Sequence, residues 1–125
     1  MKTKQIPKSE WPAFFDSFSR QHEGWLVNLQ ILGSEIGAQV EERELALEGI
    51  TDEWDETNGN TIMIMIGARP DDHITHSIAR PSEVTLEQTD DGADAALAIK
   101  GEDETTALLS FRVATRPEMV DAIAV

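Results

Sequence analysis

The chain has 125 residues, no cysteine, and 24 acidic against 10 basic side chains, which gives a net charge of −14. The absence of cysteine excludes disulfides, thiolate metal sites and a cysteine nucleophile. The acid excess disfavours direct binding to nucleic acids or anionic membranes, because both need a basic surface. The length and the 40% hydrophobic share predict one globular domain over residues 1–125. A signal-peptide core and an apolar run of about 20 residues are both missing, which predicts a soluble, cytoplasmic protein.

The negative charge is unevenly distributed along the chain. Residues 1–34 carry four bases and three acids, a net of +1, whereas residues 35–125 carry six bases and 21 acids, a net of −15. Two explanations are open for the acidic part. One is solubility or adaptation to high salt, and the other is a surface that attracts a cationic partner.

One amphipathic helix is predicted over residues 9–22. Aromatic side chains recur at i, i+3, i+4 and i+7, which places them on one helical face; they are Trp11, Phe14, Phe15 and Phe18. Ser9 is the expected N-cap, and Gly24 is the expected left-handed residue that ends the helix. An aromatic stripe at this spacing indicates core packing rather than a ligand site, so we expect the helix to pack on the sheet.

From residue 25 to residue 113 the hydrophobic period changes to two, which predicts about seven short strands. In residues 43–50, Ile50 is out of phase with Leu47, and a bulge at Gly49 would turn both side chains inward. Residues 61–66 are apolar on both faces, so this strand must be covered on both sides. The helix is the expected cover for one of them.

The remaining elements are short. A strand is expected over residues 73–78. We expect Pro81 to interrupt it, because proline has no backbone N–H to donate to a neighbouring strand. Thr115 and Glu118 match a capping box, which predicts a short terminal helix over 116–123. The predicted fold is mainly β (α+β), with the N-terminal helix packed on a small antiparallel β-barrel or roll. The order of elements resembles SH3-like or Sm-like small barrels.

The first candidate binding site is the acidic segment Asp52, Glu53, Trp54, Asp55 and Glu56. A tryptophan among four acids can anchor a basic partner, because the indole ring supplies contact area and cation–π attraction. The alternative is that Trp54 lies on the same strand face as Ile50 and covers the core at the end of the strand. The acids would then be solvated.

The second candidate is the polar cluster Asp71, Asp72, His73 and His76, since carboxylates and imidazoles bind divalent metals. On a strand, however, His73 and His76 point to opposite faces, because their separation is odd. A metal site would therefore need a bulge or further ligands, and a packed, hydrogen-bonded His76 is the alternative. No nucleophile elbow or glycine-rich phosphate loop accompanies the cluster, so neither a catalytic residue nor a cofactor is predicted.

Four stretches together resemble a known family. They are Ile6-Pro7 to Trp11-Pro12, Phe18 to Trp25 (FSRQHEGW), Asp71 to His76 (DDHITH), and Thr89 to Asp94 (TDDGAD). As a set they resemble the DUF5335 family of short acidic bacterial proteins, over nearly the whole chain. The resemblance implies a bacterial, soluble, single-domain protein, and it implies no activity, cofactor or catalytic residue.

These observations lead to one main hypothesis and two alternatives. The main hypothesis is a non-enzymatic binding or regulatory module whose acidic surface meets a basic protein partner. The first alternative is a metal- or histidine-dependent enzyme centred on Asp71, Asp72, His73 and His76. The second is a salt-adapted protein whose acidic surface has no specific ligand.

Overall fold

The computed structural model describes residues 2–33, 37–57, 59–67, 71–102 and 104–115, apart from the side chains of residues 37–44 and 112–115. Strand β1 (Lys2–Gln5) leads through a 3-10 turn (Lys8–Glu10) into helix α1 (Trp11–His22). The strands that follow are β2 (Leu26–Gly33), β3 (Gly37–Asp55), β4 (Gly59–Ile66), β5 (Ile74–Ala79), β6 (Pro81–Gln88), β7 (Asp94–Gly101) and β8 (Thr106–Thr115). The predicted helix over 116–123 lies outside the described residues.

The eight strands form one antiparallel sheet in the order β1-β6-β7-β8-β2-β3-β4-β5. Within the described residues this order is open, with β1 and β5 at its edges, so the fold is mainly β with one N-terminal helix but not the expected closed barrel. The reason is that β6 pairs with β1 on one side and β7 on the other. Although Arg80 alone joins β5 to β6, β6 has no side left for β5. Strand β1 was not predicted.

The break between β5 and β6 falls at Arg80, and Pro81 begins β6 instead of interrupting it. Arg80 has a positive φ of 48°, which is uncommon for a residue with a side chain. Its backbone is held on both sides, because its N–H donates to the Asn60 carbonyl and its carbonyl accepts from the Glu102 N–H. A proline as the first strand residue leaves the later ladder bonds of β6 intact.

Strand β3 has 19 residues and serves two partners. Its first part pairs with β2 and its second part with β4, and the register with β4 shifts between Leu47 and Gly49. Glu48 is thus the extra residue of a β-bulge. Leu47 and Ile50 are both buried, which confirms the predicted bulge at Gly49.

Helix α1 begins two residues later than predicted. Ser9 lies in the 3-10 turn, and Glu10 occupies the N-cap position without a side-chain capping bond, so the predicted cap at Ser9 is wrong. A tight turn replaces it, in which the Pro7 carbonyl accepts from the Glu10 N–H. Gly24 has a φ of +86°, as expected for the residue that ends the helix. None of the described helices is long and apolar enough to cross a membrane.

One apolar core joins the helix to the sheet. The predicted stripe supplies Trp11, Phe15 and Phe18, which are buried, and Phe14, which is partly buried against them. The strand residues of the core are Val27, Leu29, Ile31, Leu47, Ile50, Ile62, Ile64, Ile66, Ile78, Val84, Leu86, Leu97, Ile99, Ala107 and Leu109. The isoleucine face of β4 is therefore fully buried with the helix stripe, as predicted, whereas Met63 and Met65 on its other face are half-buried.

The helix packs directly along the flank of β3. The Ser19 hydroxyl accepts from the Ile50 N–H at 2.9 Å and donates to the Ile50 carbonyl at 3.2 Å. Both backbone groups point away from β4, on the side where β2 has already ended. One hydroxyl thus satisfies a donor and an acceptor that no strand reaches.

We expect Ser19→Ala to lower the free energy of unfolding by about 1–3 kcal/mol, because it leaves the Ile50 N–H and carbonyl without their partner. The matched control is Ser17→Ala, which removes an exposed hydroxyl from the same helix and should change stability by less than about 0.5 kcal/mol. Urea denaturation followed by circular dichroism measures both. Equal stability of the two variants would contradict a structural role for Ser19.

Candidate functional site

The acidic segment predicted as a binding site lies at the tip of the β3–β4 hairpin. Trp54 pairs with Asn60 across the hairpin, and it shares the inward-facing side of β3 with Ile50. It is nevertheless 66% exposed, so the alternative in which Trp54 covers the core is wrong. Trp54 does lie on the same face of β3 as Ile50, as predicted. However, β3 and β4 extend beyond the core, so this face is exposed to solvent at Trp54.

The hairpin tip is ordered by its own polar side chains. Asp52 accepts a hydrogen bond from the Asn60 amide at 2.9 Å, and Asp55 accepts one from the Thr57 N–H at 2.8 Å. Glu53, Asp55 and Glu56 are exposed and adjoin Trp54 in the sequence, and residues 51–61 contain no lysine or arginine. The structure therefore brings the five predicted residues onto one short hairpin tip. An exposed indole ring among carboxylates suits a lysine or arginine side chain.

The second predicted cluster lies where the chain enters β5. Asp71 and Asp72 form the turn before the strand. Gly67, with a φ of +98°, lies so close to the Asp72 carbonyl that a Cβ atom there would overlap it. This close approach requires glycine and fixes the position of the turn.

His73 has a partner that the sequence did not indicate. Its Nε2 lies 2.6 Å from the Glu48 carboxylate, which is exposed on the β3 bulge. His76 is half-buried on β5 opposite Ile64. Within the residues that the structure describes, no three histidine, aspartate or glutamate side chains are grouped so that they could hold a metal ion. The metal site at Asp71, Asp72, His73 and His76 stays a prediction.

A buried polar network links the end of α1 to the β6–β7 hairpin, and the sequence analysis missed it. His22 is 0% exposed and Asp94 is 3% exposed. His22 Nε2 lies 3.3 Å from Asp94 Oδ2, and the other Asp94 oxygen accepts a hydrogen bond from the Gln88 amide at 2.9 Å. The imidazole ring packs against both Phe18 and Phe111, with centroid distances of 4.4 and 4.7 Å, and these two phenyl rings are 5.8 Å apart.

The proton on His22 can be placed from its hydrogen-bond partners. Nδ1 lies 2.8 Å from the Phe18 carbonyl, which can only accept, so Nδ1 carries a proton. Nε2 makes no well-directed hydrogen bond despite its short distance to Asp94. The contact is favourable only with a proton between Nε2 and Asp94 Oδ2, on either atom, because two acceptor lone pairs repel each other. Both side chains are shielded from solvent, so the network acts structurally and not on a substrate.

The sequence contains a signal for His22 in this network but none for Asp94. His22 continues the aromatic stripe, since it lies four residues after Phe18, and this position alone predicts burial. Asp94 lies two residues after the turn over Asp90–Gly92, where acids are usually solvated. Only the pairing of β7 with β6 and β8 brings Asp94 inward, and no local pattern reports that.

The chain belongs to the DUF5335 family, a family of unknown function, whose model matches residues 2–120. This confirms the resemblance found in the sequence. An uncharacterized protein of Aquifex aeolicus (strain VF5) is 29% identical over 114 residues, which cover 91% of this chain and 96% of that protein. The crystal structure of the Bacillus subtilis YojF protein is similar at a TM-score of 0.49 and 9% identity, over 90% of this chain and 96% of that chain.

We expect His22→Ala and Asp94→Ala each to lower the free energy of unfolding by about 3 kcal/mol or more, because each leaves a buried polar partner uncompensated. The double variant should lose less than the sum of the two, which a double-mutant cycle measures by chemical denaturation. The control is Asp16→Ala, which breaks the exposed Asp16–Arg20 ion pair on the same helix and should cost less than about 1 kcal/mol. Strict additivity would show that the two side chains do not interact.

Proposed function

We propose that this protein is a non-enzymatic binding module whose β3–β4 hairpin tip captures a basic protein partner. The observation that carries the proposal is the exposure of Trp54 among Asp52, Glu53, Asp55 and Glu56. Of the large hydrophobic side chains that the structure describes, only Trp54 and Leu26 are exposed, at 66% and 37%. An exposed tryptophan near the end of a paired strand is a typical anchor of a protein interface.

The anchor and the acids have different roles in this proposal. Trp54 supplies apolar area and a cation–π surface for a lysine or arginine of the partner. The surrounding carboxylates, together with the net −15 of residues 35–125, attract that partner from a distance and exclude acidic competitors. The hydrogen bonds of Asp52 and Asp55 support this use, because they restrain the residues around Trp54 before binding and reduce the entropy lost on association.

We expect Trp54→Ala to weaken binding of the basic partner about thirtyfold, since truncation of an aromatic anchor costs about 2 kcal/mol. The experiment captures proteins from the source lysate on the immobilised wild type at low salt and identifies the basic proteins that high salt releases. The dissociation constant of the purified partner is then measured for each variant. Trp54→Ala should leave the free energy of unfolding within about 0.5 kcal/mol of the wild type, because the ring is exposed.

Two control variants separate the anchor from the acids. Leu26→Ala truncates the other exposed hydrophobic side chain and should leave binding unchanged. Glu53→Gln with Glu56→Gln should slow association and reduce its salt dependence, while the anchor remains. The proposal fails if no basic protein is retained at low salt, if retention ignores salt, or if Trp54→Ala binds as tightly as Leu26→Ala.

A further inference from the structure

We propose that the outer edge of β5 is a self-association site, at which two copies of this chain pair antiparallel about a twofold axis at His76. Among the residues that the structure describes, strand β5 ends the sheet order, with β4 on one side and no strand on the other. The pairing would join the two open sheets into one. It uses a different surface from Trp54 and does not depend on partner binding at the hairpin tip.

The direction of the free backbone groups follows from the ladder. The Arg80 N–H donates to the Asn60 carbonyl, next to the Ala79–Thr61 pair. Because hydrogen-bonded and non-hydrogen-bonded pairs alternate in an antiparallel ladder, the backbone groups of Ile74, His76 and Ile78 face β4. Those of Thr75 and Ser77 face outward. The outer edge of β5 therefore offers two donors and two acceptors from these two residues.

The two edges of the sheet differ in how they are protected. The exposed strand β1 carries Lys2 and Lys4, and such charges discourage edge-to-edge pairing. Residues 74–79 contain no lysine, arginine, aspartate, glutamate or proline. Strand β5 therefore lacks the devices that keep an edge strand apart from other chains.

The sequence of β5 fits a second copy of itself. Ile74-Thr75-His76-Ser77-Ile78 is nearly symmetric about His76. In an antiparallel pair centred there, Ile74 faces Ile78 of the second copy and Thr75 faces Ser77 of the second copy. An apolar pair and a hydroxyl pair are both favourable across two strands. Thr75 and Ser77 also form the hydrogen-bonded pair in this register, because their backbone groups are the ones that face outward.

The charges beside the strand have the same symmetry. Asp72 lies four residues before His76 and Arg80 lies four residues after it. Asp72 lies in the turn before β5 and Arg80 at the break after it, so the twofold brings each of these strand ends next to the other end of the second copy. The Gly67 contact fixes the position of Asp72, and the bonds to Asn60 and Glu102 fix that of Arg80. Opposite charges in this position favour the register, whereas a shift by two residues would lose them.

The register is tested by an engineered disulfide in a chain that has no cysteine of its own. The twofold places the two residues at position 76 directly opposite each other in a non-hydrogen-bonded pair, where the separation suits a disulfide. His76→Cys should form a covalent dimer on mild oxidation, seen on a non-reducing gel and by mass spectrometry. Thr75→Cys is the matched control, because position 75 faces position 77 and should crosslink far more slowly. Equal crosslinking of the two variants, or none with His76→Cys, overturns the proposal.

A second experiment uses proline at each edge. Ser77→Pro removes an outward N–H without touching the bonds to β4 and should give a monomer at concentrations where the wild type dimerises. Thr3→Pro is its counterpart on β1, where the bond from the Ile6 N–H to the Val84 carbonyl places the Thr3 N–H outward in the same way. It should leave the dimer intact. Sedimentation equilibrium measures the oligomeric state of the wild type, Ser77→Pro and Thr3→Pro. The protein concentration is raised to about 1 mM, because a dimer with a weaker dissociation constant than this would have no use. A wild type that stays monomeric, or a dimer that survives Ser77→Pro, overturns the proposal.

Discussion

The structure depends on how the backbone of β3 is satisfied after β2 ends. The 19-residue strand β3 continues past the last residue that pairs with β2. Its backbone groups on that side therefore need other hydrogen-bond partners where they are buried. The segment at the end of α1 supplies them: the Gly24 N–H donates to the Leu47 carbonyl, the Leu47 N–H donates to the Trp25 carbonyl, and Ser19 bonds both groups of Ile50. These bonds fix the helix along β3. Once it is there, its aromatic stripe faces the same core as the isoleucines of β4.

The other end of this arrangement is the His22–Asp94 contact. Ser19 and His22 are three residues apart, so they lie on adjacent positions of one helical face. Ser19 contacts β3, while His22 reaches β7, which lies elsewhere in the sheet order. Apolar side chains of similar shape could stabilise the helix as much. What the polar contacts add is a constraint on the rotation of α1 about its axis, because Ser19 has to face Ile50 while His22 faces Asp94.

The parts of the fold that were predicted from sequence are those with a local signal. The stripe from Trp11 to Phe18 has the helical period, and the bulge at Gly49 follows from a phase change between two inward side chains. Strand β1 has no such signal, since Lys2–Gln5 is exposed throughout and is recognised only by its pairing with β6. Whether Trp54 is exposed or buried could not be predicted from the sequence for a related reason. Parity gives the face of a strand but not the point along it where the core ends, which depends on elements distant in sequence.

The acidic surface affects the two proposed interactions in opposite ways. A net charge of −14 on each copy opposes pairing through β5, and the same charge attracts a basic partner to the hairpin tip. At physiological ionic strength the screening length is about 8 Å, so charges that lie farther than this from the joined edges add little to the repulsion between two copies. Added salt therefore favours self-pairing and weakens partner binding. The strand that mediates self-pairing can succeed only because residues 74–79 are free of acids in a chain where acids are abundant.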